Sequence, residues 1–141
     1  MPGVSASPID QLLRAVDELD LEATVALAAP DAEILVVDGR RGQGTGAVRE
    51  VFSELFATLR SSEHRITAEW HEQDVWIAEV QATYELRDRT RIAELRRAFV
   101  LREGPDGFCE LHVYGAHERP LGERRGGEGE MRLGGHRIPP L

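Results

Sequence analysis

The spacing of apolar residues changes period once along this chain, and that change limits the fold more than any single motif. Val48, Val51, Phe52, Leu55, Phe56 and Leu59 recur at helical spacing. After Ser62 the period drops to two. Ile66, Ala68 and Trp70 alternate with polar residues, as do Trp76, Ala78, Val80, Ala82, Tyr84 and Leu86. Ala93, Leu95, Phe99 and Leu101 follow, then Cys109, Leu111 and Val113. The breaks at 71–74, 87–90 and 104–107 are short and turn-like. The pattern predicts a long amphipathic helix followed by an antiparallel meander with one apolar face.

Upstream, Ser7-Pro8-Ile9-Asp10 reads as a helix start, with Ser7 as cap and Pro8 in the first turn. Ile9, Leu12, Leu13, Val16 and Leu19 continue it at helical spacing. A second short helix is expected from Asp20 through Leu27, stopping at Pro30. Residues 32–37 (AEILVV) read as a strand. Gly39, Gly42, Gly44 and Gly46 then read as a loop, with Thr45 as the cap of the long helix. Neither phosphate-loop pattern fits them. A P-loop needs a Lys, and the chain has none. A dinucleotide loop needs G-x-G-x-x-G and a parallel return strand, whereas these glycines alternate and hairpins follow. Here they let the backbone reverse between strand and helix.

The 141 residues are 41% hydrophobic and 30% charged, which suits one domain with one core. A net charge of -8 argues against nucleic acid as a partner. All 17 basic residues are Arg, read as the codon bias of a GC-rich, bacterial genome rather than as Arg chemistry. A single cysteine, Cys109, excludes an internal disulfide and a cysteine-cluster metal site. No apolar run approaches a membrane span and no signal pattern opens the chain, so a cytoplasmic location is expected, with no membrane partner. Residues 121–141 are rich in Gly and charge and are expected to form a mobile tail behind a single domain at 7–120.

Three stretches carry a family resemblance: LDLEATVALAAPDAEI at 19–34, GTGAVREVF at 44–52 and PDGFCELHVYG at 105–115. Together with the order of elements they resemble the nuclear transport factor 2-like superfamily, in its SnoaL-like and ketosteroid isomerase-like branches. The resemblance spans about residues 7–120. It implies an α+β fold: a cone-shaped, curved antiparallel sheet wrapped around a long helix, with two short N-terminal helices and an apolar pocket at the open end. It is nearly silent on chemistry.

In ketosteroid isomerases a Tyr and two Asp do the work. Carried onto this chain, those positions are Leu12, Val36 and Phe99, all apolar. An enolate would have neither base nor donor, so isomerase chemistry of that kind is rejected. Scytalone dehydratase-like and SnoaL-like cyclase relatives use His and Asp in the pocket, and the sequence offers no match to either pair. Limonene epoxide hydrolase-like relatives use an Asp-Arg-Asp set, of which only one Arg is placed inside.

That Arg is Arg97, the single charge on the face Ala93, Leu95, Arg97, Phe99, Leu101. A charge among apolar neighbours is either ion-paired or faces a ligand. Tyr84 ends the apolar face of the preceding strand, as a core residue or as a hydroxyl donor to the same cavity. Asp38 follows the first strand on the face of Val36, as a turn residue of Asp-Gly or as a pocket acid. Trp70, Trp76, Phe52, Phe56 and Phe99 are the expected core and pocket wall, with Trp70 the foremost ligand contact. Of the five histidines, His64, His71, His112, His117 and His136, none forms a helical zinc pair, and no metal or other cofactor is expected. Glu110, His112 and Tyr114 share the face opposite Leu111 and Val113, where relatives pair, and are read as a homodimer surface.

Two functions compete at this point, with a third beside them. One is non-catalytic binding of a small apolar molecule. The second is a SnoaL-like cyclase, dehydratase or hydrolase acting on a cyclic substrate, with Asp38 or a His as base and Arg97 and Tyr84 stabilising negative charge on oxygen. The third is a dimerisation module with a filled core.

Overall fold

Ser7 caps the first helix, α1 (Pro8–Asp17), by accepting the Asp10 N–H at 3.0 Å. α1 buries Ile9, Leu12, Leu13, Ala15 and Val16. It ends where Leu19, at φ 54°, turns the chain sharply into α2 (Leu21–Ala26), which Asp20 caps through Ala23 N–H at 3.0 Å. The computed structural model describes residues 6–115, 132–133, 136–137 and 141.

The first strand, β1 (Ala28–Leu35), begins and ends earlier than expected and takes in Pro30. A register irregularity between Ala28 and Glu33 accommodates the proline's missing N–H. The glycine stretch is not all loop. A tight turn at Val36–Arg40 sends the chain back as β2 (Arg41–Gln43), antiparallel to β1. At Gly42 a Cβ would lie 2.6 Å from that of Ala47, so this strand seats only a glycine there. Gly44, at φ 96°, rather than Thr45, is the N-cap of the long helix α3 (Thr45–Thr58).

α3 buries Val48, Val51, Phe52, Leu55 and Phe56, the expected stripe. Behind it run β3 (Leu59–Glu72), β4 (Val75–Leu86), β5 (Arg91–Gly104) and β6 (Gly107–Tyr114), breaking where turns were expected. The sheet order is β2-β1-β6-β5-β4-β3. All pairs are antiparallel except β1 with β6, which run parallel, so the curved sheet is mixed. Its concave face and the helices enclose one core. Residues 132–133 and 136–137 form a short antiparallel pair, β7 and β8. The mobile tail expected at 121–141 otherwise falls outside the described residues, except for Leu141, which is buried at 1% exposure. Among the described residues no helix is long and apolar enough to cross a membrane.

The strict alternation fails at bulges. One between Ile66 and Ala68 in β3 turns Trp70 outward, where it is 52% exposed opposite Ile77. A second, where β5 faces Ala82–Tyr84, buries Ile92 and leaves Ala93 exposed. A third, opposite Arg102–Glu103, buries Phe108 in place of Cys109.

Gly107 is the tightest point of the fold. Its φ is +127°, and a Cβ would lie 2.6 Å from the Leu27 carbonyl oxygen and 2.8 Å from backbone atoms of Ala28 and Ala29. Those are backbone atoms that cannot swing aside. Gly107→Ala is expected to lower the free energy of unfolding by about 3 kcal/mol, read from the urea midpoint. A loss within about 0.5 kcal/mol would contradict this packing.

Candidate functional site

A connected set of polar side chains crosses the otherwise apolar interior. Asp17 is the last residue of α1, where the negative end of the helix dipole disfavours an acid. It is held there by three donors from β3. Ser62 Oγ donates to Oδ1 at 2.8 Å, the His64 backbone N–H donates to Oδ2 at 2.9 Å, and His64 Nδ1 lies 2.6 Å from Oδ1. The His64 side chain is wholly buried and the Asp17 side chain is 26% exposed. A carboxylate in contact with Nδ1 keeps the proton on that nitrogen and turns Nε2 toward the interior.

His64 Nε2 lies 3.0 Å from the Tyr84 hydroxyl. In the β3–β4 register Ser62 pairs with Tyr84 and His64 with Ala82, so His64 and Tyr84 are diagonal neighbours on the inner face. Their rings meet edge to face at 5.5 Å, and the His64 ring also meets Phe99 at 6.3 Å. Tyr84 itself is 0% exposed, and its hydroxyl donates to the backbone carbonyl oxygen of Leu141. Burial pushes the Tyr84 hydroxyl up from its ordinary pKa, opposed by the Arg97 charge and reinforced by Asp17. The phenol therefore stays a neutral donor.

Arg97 is 4% exposed, on the inner face as its strand parity predicts. Its Nη1 donates to the Arg96 carbonyl at 2.9 Å. The guanidinium passes over Gly115, where a Cβ would approach Nη1 to 2.6 Å. Beside it lies a cavity of about 470 Å³, lined among the described residues largely from the outer sheet face, by Thr67, Glu79, Gln81, Arg96 and Tyr114, and not by Asp17, His64 or Tyr84. Among the described residues no three His, Cys, Asp or Glu side chains come together as a metal site would need.

The other expected site residues separate. Asp38 is exposed in the turn after β1, where it accepts the Arg40 N–H at 3.0 Å and pairs with the Arg40 guanidinium. The turn reading describes it, and the pocket acid does not. Trp70 lies outside the core, for the bulge reason given above. Trp76 is half-buried, stacks on His71 at 3.6 Å and donates to Glu103. Phe52, Phe56 and Phe99 are core residues, the first two with rings 6.1 Å apart.

The sequence offers no match to the His and Asp of the dehydratase-like and cyclase relatives, and it does not single out Asp17 and His64, which the fold brings into contact. Both left a signal. His64 stands two residues before Ile66 and so on its inner face, and Asp17 stands four after Leu13 on the buried side of α1. Only the packing of α1 on β3 brings the two together.

Phenolate absorbance at alkaline pH follows ionisation of the chain's two tyrosines, Tyr84 and Tyr114. Because the folded pKa of Tyr84 is raised, its contribution to stability is intact below the ordinary tyrosine value of 10.0 and is lost as pH climbs beyond it. Tyr84 is expected to ionise only as the protein unfolds. Tyr84→Phe should abolish that step. Ionisation of Tyr84 in the folded state would contradict the buried donor.

A SnoaL-like domain family model matches residues 9–109. A search of curated proteins finds no match. Among solved structures, the chain is similar to a Catenulispora acidiphila protein with a ketosteroid isomerase-like fold, in complex with trimethylamine. The TM-score is 0.71 at 16% identity, over 80% of this chain and 88% of that one. It is similar to an LEH-like epoxide hydrolase of M. tuberculosis, with TM-score 0.67 at 13% identity over 77% and 80%. A third is SalBIII, an epoxide hydrolase/cyclase-like enzyme with a role in pyran ring formation in the polyether salinomycin, with TM-score 0.67 at 21% identity over 77% and 88%. At these identities the structures speak for the fold alone, while the family model takes in well over half of the sequence. A two-helix entry, a long helix under a curved sheet and that match together make the chain a member of the SnoaL-like domain family.

Proposed function

We propose that the protein is an acid–base enzyme acting on a small, largely apolar molecule that carries an oxygen function. The observation that supports this most is the chain of contacts Asp17–His64–Tyr84, ending at an acceptor oxygen inside an apolar wall. A pure binding pocket needs one anchor and no oriented imidazole. Here Asp17 orients His64; as Tyr84 passes its hydrogen to the substrate oxygen, a proton on His64 Nε2 replaces it on the phenol oxygen, and the reverse transfer restores both groups. Arg97, whose charge is felt at the Tyr84 hydroxyl, favours negative charge developing there. Hydrolase- and cyclase-like names among the structural neighbours agree with this class of chemistry. The isomerase positions Leu12, Val36 and Phe99 are apolar and buried and take no part in proton transfer in this reading.

A panel of cyclic ketones and epoxides in heavy water tests the reading, by deuterium uptake and ring opening. The rate on the best compound is expected to fall about 100-fold or more in His64→Gln, with a similar direction in Asp17→Asn. Equal rates in wild type and His64→Gln, or binding with no conversion across the panel, would leave a non-catalytic pocket instead.

The outer sheet face is proposed as a homodimer surface. Trp70, Ile77 and Tyr114 are exposed there at 52%, 39% and 48%, on the same face as Glu110 and His112. Sedimentation should show a dimer that Trp70→Glu dissociates. A monomer at all concentrations would remove the proposal.

A further inference from the structure

The residue that accepts the Tyr84 hydrogen bond does not come from the cone. The family match covers residues 9–109, and the helices and sheet that enclose the interior are complete by Tyr114. Leu141 enters from far along the chain, yet it is 1% exposed and belongs to the core cluster. Its isobutyl group sits among apolar residues, and its carbonyl oxygen takes the hydrogen of the Tyr84 hydroxyl. That hydroxyl is also the group His64 Nε2 faces. Leu141 therefore fills the place a reacting oxygen would need, with an aliphatic group on the greasy side and an acceptor on the polar side.

We infer that Leu141 stands in for the ligand, and that the site takes a branched aliphatic acyl compound whose oxygen replaces the Leu141 carbonyl on Tyr84. The match lies in the leucine skeleton itself: an acceptor oxygen, a short methylene spacer and a branched end. A carboxylate suits the interior, because a buried cation, Arg97, stands on the same inner face of the sheet as Tyr84. The inference rests on the site of the acid–base reading and names its substrate class. It also makes binding competitive with the chain's own residue, which lowers the apparent affinity for any free ligand.

Isocaproate, which has the leucine skeleton without the amine, is the probe. Calorimetric titration should show Leu141→Gly binding it at least tenfold more tightly than wild type. Adding Tyr84→Phe to Leu141→Gly should remove most of that gain. In the unmutated chain, isotope-labelled Leu141 methyl resonances should move toward solvent-like positions as isocaproate is added. This second readout stands even where Leu141→Gly fails to fold. Isocaproate that binds no more tightly to a folded Leu141→Gly, or whose addition leaves the Leu141 methyls in place, would overturn the inference. Neither readout involves turnover. Loss of conversion without loss of binding therefore strikes the acid–base reading, and loss of displacement strikes the present one.

Discussion

The apolar stripe of α3 must be covered on one side, and only a strongly bent sheet can reach round it. Long strands do not bend freely. β3, β4, β5 and β6 do so through register shifts, each of which places two residues of one strand against one of its neighbour. Every shift also exchanges the inner and outer faces beyond it. The curvature that lets Phe52, Leu55 and Phe56 be buried is thus the same feature that decides which side chains look inward at the wide end.

What looks inward there is polar and connected. Buried polar groups are costly when unpaired and rigid when fully paired. Asp17, His64 and Tyr84 partner one another, with Ser62 and a backbone N–H completing the acid. Placing the acid at a helix C-terminus runs against the helix dipole, and the three β3 donors offset this. An arrangement paired in this way fixes the imidazole and the phenol in place. Of the polar candidates apparent from the sequence, Tyr84 belongs to this set, while Asp38 caps its own turn instead.

Much of the architecture was legible because burial of a single face imposes periodicity. The helix under the sheet, the three turns of the meander and the inward face of Tyr84, Arg97 and Phe99 all follow from it. The bulges were not legible. An inserted residue leaves no mark in composition, and alternation read straight through it sends Trp70, Ala93 and Cys109 to the wrong side. The short β2 was hidden for another reason: its glycines read as turn residues, while pairing with β1 requires small side chains against α3.

The sequence by itself determined the class of fold and the one-sidedness of its strands, since hydrophobic periodicity is a local property of neighbouring residues. Tertiary structure alone decided the site. Asp17 and His64 are 47 residues apart, and Tyr84 and Leu141 are 57 apart. No local pattern links such positions. Their meeting depends on how α1 docks on β3 and on where the chain returns to the core, and both are set by packing across the whole molecule.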